Sequence, residues 1–212
     1  WYTKNYGGKY NNNSTIDSEK NRRPWIDYNA RKIDMIRHRI DELYPKDCAE
    51  KSVLLTSLLI GVVKITNAMG HVNGYLKAWS PSKLKKLKLE MIPIDIQQKN
   101  KHTVLQKNVI DLDKNLKYDI VYVDPPYGSN NTKLSISGTT RYSAFYHLWN
   151  TIIINNKPEI WGKAGKPYSI KGKMGTDELE YNVKDIVIPA TINYIKAFNT
   201  NYLAFSYSNK GL

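Results

Sequence analysis

The chain has 212 residues, 41% of them hydrophobic, which suits one core of ordinary domain size or a domain carrying an inserted subdomain. Thirty-two Lys and Arg against 19 Asp and Glu give a formal charge of +13, a balance that favours a polyanionic partner, nucleic acid ahead of acidic membrane. A single cysteine, Cys48, excludes an intrachain disulfide and a cysteine-rich metal site, and points to a reducing, cytoplasmic setting.

Residues 1–24 hold a Gly-Gly pair, an Asn run and little apolar periodicity, so a loop-like arm is expected there. Arg22 and Arg23 within it could reach nucleic acid or remain a flexible basic arm. No signal peptide is visible, and the chain begins at Trp1, which suggests a fragment or a processed chain. From Asn29 to Tyr44, Ile33, Ile36, Ile40 and Leu43 are spaced by three, four and three, which predicts an amphipathic helix closed by Pro45. Arg31, Lys32, Arg37 and Arg39 fall on its polar face.

A second helix is expected from Asp47, with Glu50 completing a capping box, to about Ala68. Its run "SVLLTSLLIGVV" is apolar on most sides and therefore central, yet well short of the roughly 20 residues a membrane helix needs, so no membrane partner is expected. Gly70, Gly74, Pro81 and Pro93 then break the pattern. The same loop-rich segment concentrates Lys77, Lys83, Lys85, Lys86 and Lys88, which are expected to contact DNA phosphates without reading sequence; a solvated basic loop is the plain alternative.

From Thr103 onward, "TVLQ", "YDIVYV" and "YLAFSYS" are short β-type runs, separated by stretches such as "YHLWNTIII" and "ATINYIKAF" that suit helices. Strands alternating with helices predict a parallel sheet, and the composition changes near residue 100. His38, His71, His102 and His147 show no ligand spacing, so no metal is expected.

Within "YDIVYVDPPYG" the branched and aromatic run reads as a central parallel strand, with Asp124 at its carboxyl end, where ligand chemistry gathers in open α/β sheets. Pro125 and Pro126 lack backbone N–H groups, so the turn offers carbonyl acceptors without competing donors. With the Asp124 carboxylate this makes an acceptor cluster, and Tyr127 supplies a flat face for stacking. Such a cluster suits methylation of an exocyclic amino group, whose lone pair is delocalised into the ring. Two acceptors holding the amino hydrogens favour a more tetrahedral nitrogen, so positioning and electrostatics carry most of the catalysis. A Pro-stabilised strand exit is the plain alternative.

"DPPY" directly after "YDIVYV" resembles the catalytic motif of S-adenosylmethionine-dependent amino-methyltransferases. Over residues 25–212 the chain resembles the Dam-like, alpha-class DNA adenine methyltransferases: "NARKIDMIRHRIDELY", "TNAMGHVNGYLKAW", "YHLWNTIIINNKPEIWGK" and "LAFSYSNKGL" are each similar to family segments. That resemblance implies an α/β fold, with part of a Rossmann-like methyltransferase sheet (101–212) and a helical, basic target-recognition insertion (1–100). It implies that Asp124 and Pro125 bind the adenine amino group, Pro126 shapes the turn and Tyr127 stacks on a flipped base. Tyr142 and Tyr146 are carried over as flanks of the base, and Asn108, with Asp124, as a contact to S-adenosylmethionine.

The implied partners are double-stranded DNA and, functionally, a cognate restriction endonuclease. RNA adenine or DNA cytosine amino-methylation, or a non-catalytic DNA-binding remnant, are the alternatives. One departure is large: the family's F-x-G-x-G loop after a first strand has no counterpart, and "NYGGKY" lacks its spacing. The chain is therefore expected to lack an amino-terminal cofactor-binding portion and, alone, to bind S-adenosylmethionine weakly or not at all.

Overall fold

The computed structural model describes residues 1–11, 13–17, 20–70, 72–94, 102–125, 142–170 and 184–206. The chain divides into two compact units, Trp1–Asp95 with Ser143–Lys171, and Ile96–Tyr142 with Gly172–Leu212.

The first unit is built around two helices of equal length, α2 (Asp27–Leu43) and α3 (Ala49–Ile65). The isoleucine spacing of α2 does its expected work, since Ile33 and Ile40 are buried, but Leu43 is exposed. Cys48, rather than Asp47, caps α3, its Sγ accepting from the Lys51 N–H at 3.5 Å. Leu58, Val62 and Ile65 enter the core, whereas Ile60 and Val63 on the opposite side are 42% and 52% exposed. The expectation that α3, apolar on most sides, is central is thus corrected: among the described residues one face of it is covered. Burial of Leu58 and Val62 contributes about 1.5–3 kcal/mol each.

The arm is the largest departure from the predicted elements. Residues 2–6 form a short helix, α1 (Tyr2–Tyr6), and the following β1 (Gly7–Gly8) pairs in parallel with β2 (Trp25–Ile26). Tyr2 and Tyr6, four residues apart, share one helical face and meet Trp25 edge to face, with ring centroids 6.4 and 5.8 Å away. Their hydroxyls stay paired inside the core: Tyr2 donates to the Thr151 carbonyl (2.9 Å) and Tyr6 to that of Gly165 (2.6 Å). Composition hid this element because aromatic burial, rather than aliphatic periodicity, holds it. Asp34 of α2 receives the α1 N-terminus, accepting from the Tyr2 and Thr3 N–H groups at 2.9 and 2.7 Å.

The first unit is completed by α4 (Tyr142–Ile154) and an antiparallel pair, β4 (Ile160–Trp161) and β5 (Lys166–Pro167). Leu148 and Ile152 of α4 join the core. Arg37, read from sequence as part of a polar face, is only 2% exposed. Its Nε and Nη2 donate to the carbonyls of Ile152 (2.7 Å) and Ile153 (2.9 Å), which end α4 and lack helical partners, and Nη1 lies 2.6 Å from Asp41. Burial works to raise the Asp41 pKa, but Arg37, Asn155 and Lys51 outweigh it and hold the carboxyl below its ordinary range. His147 faces the Val72 carbonyl at 3.1 Å. Burial, assisted by Lys166 and opposed by the Val72 carbonyl, lowers its pKa to about 4.

The second unit holds β3 (Lys117–Val123), α5 (Lys184–Lys196) and β6 (Asn199–Phe205). β3 and β6 pair in parallel, from Lys117 with Asn199 to Val123 with Phe205, as the strand–helix alternation predicts. Val187 and Ala190 of α5 form a small buried cluster with Tyr194 against it. Two corrections apply. "TVLQ" is irregular rather than a strand. β3 is also not a buried central strand among the described residues: Ile120 and Tyr122 are 69% and 67% exposed, because a two-stranded sheet has no layer over that face.

Replacing Arg37 with Met leaves two helix-terminal carbonyls without a partner and removes one of the three partners of Asp41, and we expect a loss of about 3–5 kcal/mol in urea unfolding, with Arg37→Lys failing to restore it because an ammonium cannot span both carbonyls. His147 sets a separate pH dependence. Its folded pKa lies below the ordinary 6.5, so the unfolded state binds the proton first: stability is full above pH 6.5 and declines by about 3 kcal/mol as pH falls to about 4. Thermal melts of His147→Phe across this range should be flat where the parent slopes. The Asp41 contribution is lost only at lower pH, as pH falls below the ordinary 3.8 and through its depressed folded value.

Candidate functional site

Asp124 follows β3 directly, and the ladder runs to the last residue of that strand: the Ser206 N–H donates to the Val123 carbonyl at 2.8 Å. The carboxylate therefore leaves a backbone fixed on one side by β6. Asp124 is exposed and Pro125 buried, so the ring anchors the turn while the acid faces outward. An exposed carboxylate beside a proline carbonyl is an acceptor pair with no competing N–H at position 125. Pro126 and Tyr127, the other half of the predicted motif, lie outside the described residues.

Of the remaining predicted site residues, Asn108 belongs to the second unit. It is exposed, and its Oδ1 accepts from the Ile110 N–H at 3.3 Å, capping a short 3-10 turn, Val109–Asp111. Tyr142 is the first residue of α4, its side chain outside the described part; Tyr146, one turn on, is half exposed on the same helix.

In the first unit the predicted lysines separate into two sets. Lys85, Lys86 and Lys88 line one surface cavity of about 380 Å³ together with Lys64. Lys83 borders this set, its Nζ donating to the Lys64 carbonyl at 2.9 Å. Lys77 does not line that cavity; its carbonyl accepts from the Thr15 N–H at 2.8 Å. One acid, Glu90, enters the lysine cavity and pairs with Lys64 at 2.5 Å.

The lysine segment is held by side chains that mimic a strand partner. Asn29 of α2, fully buried, donates from Nδ2 to the Lys85 carbonyl and accepts from the Leu87 N–H, both at 2.8 Å. Lys32 donates to the Leu87 carbonyl at 2.9 Å, and Leu87 inserts into the core. Gly61 of α3 is required for this approach, since a Cβ there would stand 2.6 Å from the Lys88 carbonyl. The signal in the sequence was an Asn inside an apolar helical face, which a purely periodic reading passes over.

A Cβ on Gly7 would lie 2.5 Å from the Thr3 carbonyl and one on Gly8 2.7 Å from Arg23 Cβ, so the Gly-Gly pair of the arm packs closely against its own unit, while both glycines also line a cavity of about 500 Å³ with Lys9, Ser14 and Arg23.

The family described as D12 class N6 adenine-specific DNA methyltransferase matches residues 3–200. The chain is 30% identical over 220 residues to modification methylase LlaI of Lactococcus lactis subsp. lactis, a match covering all of this chain and 32% of the relative. It is also 30% identical over 203 residues to type II methyltransferase M.NlaIII of Neisseria lactamica (93% of this chain, 54% of the relative). Identity to type II methyltransferase M.FokI of Planomicrobium okeanokoites is 31% over 188 residues (87% and 26%). The chain thus spans between about a quarter and a half of the length of these curated relatives. No solved structure matches it.

The clamp on the lysine segment is directly testable. Asn29→Ala should cost about 1–3 kcal/mol, through a buried carbonyl and N–H left unpaired, and should speed tryptic cleavage at Lys85–Lys88 in the otherwise folded chain. Unchanged cleavage would show that Leu87 burial alone holds the segment. With a family match over residues 3–200, the chain belongs to the D12 class N6 adenine-specific DNA methyltransferase family.

Proposed function

We propose that the protein carrying this chain is a site-specific DNA methyltransferase that places a methyl group on the 6-amino nitrogen of adenine. S-adenosylmethionine is the proposed methyl donor, on family grounds, and a restriction enzyme of the same specificity the proposed functional partner. The single observation that carries the reading is the position of Asp124 and Pro125, one step beyond the paired end of β3. In this reading β3 and β6 belong to a Rossmann-like methyltransferase sheet, and the first unit, with its lysine cavity, contributes to DNA recognition.

The chemistry of the acceptor side follows from the residue types. The Asp124 carboxylate and a proline carbonyl accept the two amino hydrogens of adenine, whose nitrogen lone pair is otherwise drawn into the ring. Holding both hydrogens favours a pyramidal nitrogen with its lone pair directed away from the acceptors. The base must first leave the duplex, since its amino group is paired there. Tyr127 and Tyr146 are the proposed stacking faces for the extruded base, and Asn108 a proposed contact to the donor.

Transfer of labelled methyl groups to duplex DNA by the whole protein, followed by nucleoside analysis, tests the reading. N6-methyladenine is the expected product; 4-methylcytosine, or label appearing only in RNA, would replace the substrate. Asp124→Ala should lower turnover by about 10²-fold or more while DNA affinity changes little. Near-normal turnover in that variant would remove Asp124 from its assigned role.

A further inference from the structure

The first unit contains a second basic site, away from the lysine segment and built from parts of the chain that the sequence reading left as a loose arm. A cavity of about 390 Å³ opens between the arm and the β4–β5 hairpin, and Lys4, Asn5, Arg22, Arg23, Trp161 and Lys163 are in its wall. Among the described residues, four cations and no carboxylate line it. Bringing four like charges to one concave surface is unfavourable unless something offsets the repulsion, and a concave wall focuses their field outward.

The cavity is preformed. The backbone N–H of Arg22 donates to the Lys163 carbonyl at 2.9 Å and so ties the arm to the hairpin. The hairpin turn closes through Gly165 N–H to the Gly162 carbonyl at 3.1 Å, with both glycines at positive φ (73° and 62°). Tyr6 then locks that turn to the core, since its hydroxyl donates to the Gly165 carbonyl and its ring leaves no room for a Cβ at that position.

The donors of the wall are only partly used. Arg23 is 15% exposed; its Nη2 pairs with Asp17 and its Nη1 donates to the Asn5 carbonyl. Its Nε–H, however, is buried with no acceptor among the described residues. Arg22 spends Nη1 on the Tyr75 carbonyl at 3.1 Å, which fixes the guanidinium at the rim. Lys4 and Lys163 are exposed. Fixed guanidinium groups flanked by mobile ammonium groups match a tetrahedral oxyanion, whose oxygens accept from several directions at once.

We propose that this cleft binds the phosphodiester backbone of the DNA substrate, a second anchoring point besides the lysine cavity. The inference rests on the reading of DNA as substrate. A backbone phosphate supplies acceptors to Lys4, Arg22 and Lys163 and offsets their charge, Arg23 being already paired with Asp17, and the indole of Trp161 gives the wall an apolar surface against which the neighbouring sugar and base can lie.

The test is duplex DNA binding by the full chain, followed by fluorescence anisotropy across a salt series, in the parent, in Lys4→Ala/Lys163→Ala and in Arg22→Ala. The lysine pair is exposed, so its melting temperature should match the parent's and serves as the check on folding. Expected is about tenfold weaker binding at moderate salt and a plot of log K against log salt whose slope is smaller by about 2, one step of roughly 0.9 per lost phosphate contact. Parent binding with unchanged affinity and slope in the folded lysine variant overturns the cleft and leaves the DNA reading standing. Failure of the parent to bind duplex even at low salt overturns the DNA reading and the cleft with it. Calorimetric titration with pyrophosphate separates the remaining source of the same chemistry: micromolar binding, lost in the lysine variant, would reassign the cleft to a free phosphate compound.

Discussion

Arg37 lies in the middle of α2, and its guanidinium reaches carbonyls 115 and 116 residues further along the chain. A charged group so deeply buried is tolerable only if its donors are satisfied, and the end of α4 provides acceptors that no helix can satisfy internally. Much else in the first unit follows from that meeting. α4 is fixed against α2, so the Thr151 carbonyl stands where the Tyr2 hydroxyl finds it, and the Asn155 amide reaches Asp41 at 2.8 Å. The hairpin that follows α4 then lies against Tyr6, and the arm is held between them. The lysine segment is anchored from the same helix through Asn29 and Lys32, and the arm through Asp34, so α2 presents polar side chains to three different parts of the chain.

The two functional features depend on different physics. At Asp124 what counts is direction: a parallel strand paired to its last residue is followed by an exposed carboxylate and by Pro125, which has no N–H to donate. In the first unit what counts is field, with cations collected on surfaces whose backbones are immobilised by buried contacts. Gly61 and Gly165 mark where that immobilisation requires chain to approach chain without a side chain between.

The legibility of these features in the sequence was uneven for definite reasons. α2, α3, α4 and the two strands of the parallel pair follow from local periodicity and composition, and so does the lysine-rich segment. α1 did not, because its burial depends on tyrosines whose hydroxyls must find partners more than a hundred residues away. Arg37 was misplaced on a polar face for the same reason: periodicity records where apolar groups fall and is blind to a charge whose partners come from elsewhere. The exposed outer face of β3 shows the converse, since a branched, aromatic run reads as buried whether or not a covering layer is present.

The sequence by itself determined the family and the basic character of the chain, because these reside in contiguous residues and in simple sums of charge. Only the tertiary structure decided which cations share a surface. Lys85, Lys86 and Lys88 stay together as neighbours in sequence would, Lys77 leaves them, and Lys4, Arg22, Arg23 and Lys163 come together from three separate segments. Charge density on a surface is set by distances through space, and those distances were fixed by buried hydrogen bonds from Arg37, Tyr6 and Asn29 that no local pattern encodes.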